Sequence, residues 1–155
     1  MNIAIRKSGI DIDIDKEFES LSAKATSLVS EVQDLLKSQK PQKHNPDDPH
    51  ETRVKSIWIQ IKQQNGYETV SIIWRYVKYF HQRTQRPFYQ DIARGRGYCL
   101  PRTRFMAAVR GYHPEIQKEL WEYEKSFANI RHRQAMLSQA RSLLVQYQKL
   151  NGSLA

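Results

Sequence analysis

The sequence predicts an all-α protein: a compact bundle of five to six helices, with a long C-terminal helix and a short extended N-terminal arm. Three observations predict it. Apolar residues recur at three- and four-residue spacings along most of the chain. Only one segment alternates with period two, so a strand there has no sheet to join. Proline and Asn-Gly punctuation cuts the chain into helix-sized pieces joined by short connections.

The arm comes first, with Ile10-Asp11-Ile12-Asp13-Ile14 alternating apolar and acidic residues. From Asp15 the period changes. Phe18, Leu21, Ala25, Leu28, Val32 and Leu35 form one seam of an amphipathic helix. Asp13 or Asp15 caps its start, and Asp15, Glu17 and Glu19 suit the positive end of its dipole. Residues 38–50 hold three prolines and no large apolar side chain, which reads as a linker. The expected organisation is therefore an arm and acidic helix over 1–37, a linker over 38–50 and a basic helical domain over 51–155.

Asp48, Pro49 and Glu51 supply a helix start. A second helix then runs to about Gln64 with Val54, Ile57, Trp58 and Ile61 on one face, ending at Asn65-Gly66. A third covers about Glu68 to Gln82, with Val70, Ile73, Trp74 and Val77 inward and Arg75, Lys78, Gln82 and Arg83 opposite. A short helical pattern spans Phe88 to Arg94, and a glycine-containing loop covers Gly95 to Leu100. Pro101 opens another helix, with Phe105, Met106 and Val109 inward and Gly111 at its end. Pro114 opens the last, to about Leu150. Its seam Ile116, Leu120, Tyr123, Phe127, Ile130 continues out of phase as Met136, Ala140, Leu143, Tyr147, Leu150. The shift falls at Arg131-His132-Arg133-Gln134, where a bend, a break or a new packing partner is expected.

Composition narrows the function classes. The 155 residues carry 25 Lys and Arg against 16 Asp and Glu, a net charge of +9. The mean hydropathy is −0.72 and the pI about 9.7. No apolar run is long enough for a membrane span, and the acidic N-terminal stretch is unlike a secretory signal, so a cytoplasmic protein is expected. One cysteine, Cys99, excludes an internal disulfide framework and a cysteine-rich zinc site. The charge is uneven: residues 1–50 hold nine acids and seven bases, residues 51–155 seven acids and eighteen bases.

Catalysis finds no support in the motifs. The five histidines are dispersed, Gly95-Arg96-Gly97 lacks the third glycine and preceding strand of a dinucleotide fingerprint, and Cys99 has no base partner. Neither an enzyme nor a cofactor or metal site is expected.

The positive charge points to nucleic acid. Arg75, Lys78, Arg83, Arg86, Arg94, Arg96, Arg102, Arg104 and Arg110 stand against a single acid, Asp91, over residues 75–110. Arginine forks onto phosphate and stacks on bases, whereas a merely solubilising surface favours lysine interspersed with glutamate. Ten of the sixteen aromatics lie within 67–112. By phase Trp74 and Phe105 are core, while Tyr79 and Tyr98 are expected to stay accessible for stacking. A backbone clamp fits charges spread over several elements. The alternative is a helix-turn-helix regulator, with Gly97 at the turn, Ile92, Ala93, Tyr98 and Met106 at apolar positions, and Arg102, Arg104 and Arg110 reaching a groove. Gly95 and Thr103 depart from that pattern. A further alternative is an interaction scaffold docking partners through its first helix.

The stretch Ile61-Lys62-Gln63-Gln64-Asn65-Gly66-Tyr67-Glu68-Thr69-Val70, followed by an apolar-aromatic segment, resembles the small helical subunits of CRISPR effector complexes. The resemblance covers about twenty residues. It implies a non-catalytic subunit of a larger nucleoprotein assembly, with protein partners, lining its interior and holding guide or target strand by the backbone. The linker and the acidic helix lie outside it.

Overall fold

A computed structural model describes residues 4–7, 10–41, 56–63, 66–79 and 87–153. The chain order is β1 (Ala4–Lys7), β2 (Ile10–Asp13), α1 (Ile14–Ser38), β3 (Ser56–Gln63), β4 (Val70–Tyr79), β5 (Pro87–Asp91), α2 (Arg102–Ala108) and α3 (Pro114–Ser153). The fold is mixed α/β, and this corrects the all-α expectation. Three helices pack with an antiparallel meander β3-β4-β5, and β1 and β2 form a separate two-stranded sheet.

The second and third expected helices are β3 and β4, and the expected helix over Phe88–Arg94 is β5 followed by a loop. Short apolar segments satisfy both periods. Val54, Ile57, Trp58 and Ile61 mimic a helical face, yet Ile57 and Ile59 are the buried pair. In β4 the buried residues are Val70, Ile72 and Trp74 rather than Val70, Ile73, Trp74 and Val77. Both segments are rich in β-branched and aromatic side chains, which pack best on a pleated surface. The arm, too, has a partner: Ile12 of β2 pairs with Ile5 of β1, and Asp13 with Ala4.

The helices at either end keep close to their predicted bounds, but their seams shift: Val29 and Leu36 are buried in α1 where Leu28 and Leu35 were expected, and Met136, Leu143, Tyr147 and Leu150 of the expected α3 seam are exposed. Asp13 caps α1, its carboxylate accepting from the Lys16 amide at 3.3 Å. The buried stripe of α1 is Ile14, Phe18, Leu21, Ala25, Val29, Val32 and Leu36. This set returns every eleven residues, the repeat of a nearly straight helix rather than of a left-handed coiled coil. Such a helix can lie flat on a sheet, and Leu21 to Leu36 share one core with Ile57, Ile59, Trp74, Phe105 and Phe127. At the centre Trp74 meets Phe105 edge-on, with ring centroids 5.4 Å apart.

α3 runs unbroken through the seam shift, and the change there is one of packing partner. Leu120, Phe127 and Ile130 belong to the main core. Beyond them Leu137, Ala140 and Leu144 pack on Ile14 and Phe18 in a second cluster. Glu17 and Asp15 of α1 pair with Arg133 and Arg141 of α3.

Side chains of α1, α3 and the α2–α3 turn close the edges of the meander. On the β3 edge the Ile57 amide donates to the Tyr112 hydroxyl at 3.1 Å, and Gln33 Nε2 donates to the Ile59 carbonyl at 3.0 Å. On the other side β5 pairs only with Arg75–Tyr79 of β4. The half-edge Val70–Trp74 is met instead by α3: the Val70 amide donates to Gln134 Oε1 at 2.7 Å, and Arg131 Nη2 donates to the Ile72 carbonyl at 3.1 Å. Unpaired strand edges invite other strands, and these bonds occupy them.

Candidate nucleic-acid interface

After its last β4 contact, the Ile92 amide donating to the Trp74 carbonyl at 2.8 Å, the chain leaves the sheet. It then runs as a loop to Pro101 and turns into α2. Gly95 adopts φ +81°, a left-handed conformation that a side chain would strain, and this turn separates Arg94 from Arg96. Arg94, Arg96, Arg102, Arg104 and Arg110 are all exposed on this loop and around α2. Residues 92–114 contain no acid. Arg104 is tied to the loop through the Ala93 carbonyl. Among the described residues none of these five arginines makes an ion pair; the N-terminal acids Asp15 and Glu17 are engaged at α3 instead.

The other sequence-predicted cations part company with this group. Arg75 lies mid-sheet, where its Nε donates to Asp91 Oδ1 at 2.7 Å and its Nη1 to Gln60. Its guanidinium also sits 6.0 Å from the Tyr89 ring centre, so it is neutralised and held. Lys78 and Tyr79 end β4, but their side chains, like all of Arg83 and Arg86, lie outside the described residues. Among the described residues the predicted binding cations left without an ion pair therefore lie on one continuous segment, the loop and α2 with its C-terminal end, and no third helix carries them. Nor does this segment form a helix-turn-helix: Ile92 and Ala93 lie in the loop after β5 rather than in a helix, and α2 has seven residues.

Behind the loop lies a cavity of about 500 Å³, lined on one side by the unpaired half of β4 and on the other by Ile92, Arg94, Tyr98 and Leu100. It exists because β5 stops short and the chain diverges. Arg131 and Gln134 of α3 reach its wall. Arg131 is 8% exposed and Glu124 fully buried. Their side chains pair at 2.7 Å. Glu124 also accepts from Trp74 Nε1 at 2.6 Å and from the Leu100 amide at 2.9 Å. Arg131 Nη1 donates to the Tyr98 carbonyl at 2.7 Å, so this buried pair fixes the loop to β4 and α3 together.

Tyr98 is 41% exposed, as its predicted stacking role requires. Its ring stacks on His132, with centroids 4.5 Å apart and planes 15° from parallel. Burial at the cavity, then the neighbouring Arg131, lowers the pKa of Arg94, with Glu124 opposing. Arginine titrates so far above neutrality that it remains charged. Burial followed by the Glu124 charge raises the Cys99 thiol. Arg131, His132 and Gln134 were not among the residues singled out for binding, although the seam break in α3 marked their position. Among the described residues no cluster of His, Cys, Asp and Glu could hold a metal ion, and no helix is long and apolar enough to cross a membrane.

A family model described as "MobI protein" matches residues 21–145. Neither a curated protein nor a solved structure matches the chain.

Proposed function

From the premise that the chain belongs to the MobI protein family, shown by a match over residues 21–145, we propose that it is a cytoplasmic, non-catalytic DNA-binding protein of a mobilisation system. It grips the phosphate backbone through Arg94, Arg96, Arg102, Arg104 and Arg110 and acts within a larger assembly. The family name supplies the mobilisation setting. The observation that carries the binding mode is the acid-free segment 92–114, with five exposed arginines that have no ion-pair partner among the described residues. Isolated guanidinium groups on a fixed framework favour phosphate over water-screened surface pairing. The segment that resembles CRISPR effector subunits, residues 61–70, lies between β3 and β4 rather than between two helices, which favours the mobilisation setting.

Backbone contacts release counterions, so affinity for unrelated duplexes falls steeply with salt. Replacing Arg96, Arg102 and Arg110 by Gln lowers affinity about equally for all sequences and reduces the slope of log K against log salt by about 3. A mobility-shift series over salt concentration measures both. Loss confined to one sequence indicates base readout, and no retention of any DNA or RNA at low salt indicates a protein-binding scaffold.

A further inference from the structure

We propose that the cavity beside the unpaired half of β4 binds one phosphorylated nucleotide of a DNA strand, its phosphoryl group between Arg94 and Arg131 and its base against Tyr98. The inference rests on the DNA-binding reading above and adds a discrete site to it. Three features point there.

The first is Arg131. Its Nη1 and Nη2 are fully used, on Glu124, the Tyr98 carbonyl and the Ile72 carbonyl. Its Nε–H is buried without a partner, in a residue only 8% exposed that lines the cavity. Unpartnered buried donors are rare, and this one belongs to a side chain that lines the cavity.

The second is charge. Glu124 is saturated by Trp74, Leu100 and Arg131. Asp91, the other carboxylate on the wall, is taken by Arg75. Arg94 is left without an ion-pair partner, and its pKa is depressed first by burial and then by the neighbouring Arg131 guanidinium. Two arginines facing one cavity with a net positive balance suit a phosphoryl group.

The third is shape. A volume of about 500 Å³ falls in the range of small-molecule sites, and Ile72, Trp74, Ile92 and Leu100 supply apolar lining beside the polar groups of Arg94, Arg131 and Gln134. At the rim Tyr98 is backed by His132, which leaves an oriented ring face for a base. The loop that forms this wall also carries Arg96, so a strand held along the outside passes its terminus over the opening.

The test uses the thymidine dinucleotide with and without a 5′-phosphate, titrated against the full chain while the Trp74 indole resonance is followed. The phosphorylated form binds saturably and at least about tenfold tighter than the unphosphorylated form. Ala135→Phe and Ser71→Tyr each fill the cavity without removing an arginine, Ala135 and Ser71 both lining it. In whichever of these retains the native melting transition, dinucleotide binding is lost while retention of a short duplex stays within about twofold. Absence of saturable binding, indifference to the 5′-phosphate, or survival of binding in a folded cavity-filled variant overturns the proposal. Dinucleotide binding without duplex retention upholds the cavity and refutes the backbone-gripping face.

Discussion

Glu124 and Arg131 are a buried ion pair whose every carboxylate oxygen is bonded, and the pair joins α3 to β4 and to the basic loop. Removing one member strands the other charge without water. Glu124→Ala is therefore expected to cost about 3–5 kcal/mol in urea unfolding, far more than loss of an exposed pair. Arg75 gives the contrast. Being bound to Asp91 and Gln60, it has little to offer DNA, so Arg75→Gln leaves duplex affinity within about twofold while Arg96→Gln does not. Cys99 completes this scale. Burial and the Glu124 charge disfavour the thiolate, so at neutral pH the group is protonated and reacts slowly with thiol reagents. Its labelling rate rises with pH through a midpoint above that of a free cysteine, and a midpoint at or below the ordinary value contradicts this environment.

Among the elements, the meander depends on side chains that imitate a missing strand. Gln134 accepts from the Val70 amide at 2.7 Å, and its Nε2 faces the Val70 carbonyl at 3.5 Å, much as a peptide group does. Gln134→Leu keeps the volume and orphans the amide, so a loss of about 1–3 kcal/mol is expected, together with faster hydrogen exchange at Val70. Tyr112→Phe acts in the same way on the Ile57 amide at the other edge. Neither role was legible in the sequence, because each depends on residues more than fifty positions apart meeting. The strands were misread for a related reason. Eight to ten residues hold too few turns to separate a period of 3.6 from one of 2 when both faces carry apolar groups, as Trp58 and Ile73 show beside Ile57 and Ile72. The helices escaped this ambiguity. α1 and α3 are long enough for the period to declare itself, and Asp13 and Pro114 mark where they start.

At the scale of the whole molecule, charge is sorted by the fold. The acids of α1 meet bases of α3, while the loop after β5 and α2 present arginines with no acid between residues 92 and 114. The polarity of the chain, acidic first and basic later, could be read from composition. Which arginines face outward could not, since Arg75 and Arg94 look alike in sequence and differ only in what the sheet and α3 place beside them.

By itself the sequence determined the two long helices, an acidic cap at Asp13 or Asp15, the burial of Trp74 and Phe105, the exposure of Tyr98 and the basic balance, because each follows from local periodicity or from counting. Tertiary structure alone decided that the middle of the chain is a sheet, that Asp91 neutralises Arg75, and that Arg131 keeps one buried N–H without a partner. Those outcomes depend on which distant groups come into contact, and pairing between strands or across a buried ion pair is a property of that meeting rather than of either segment alone.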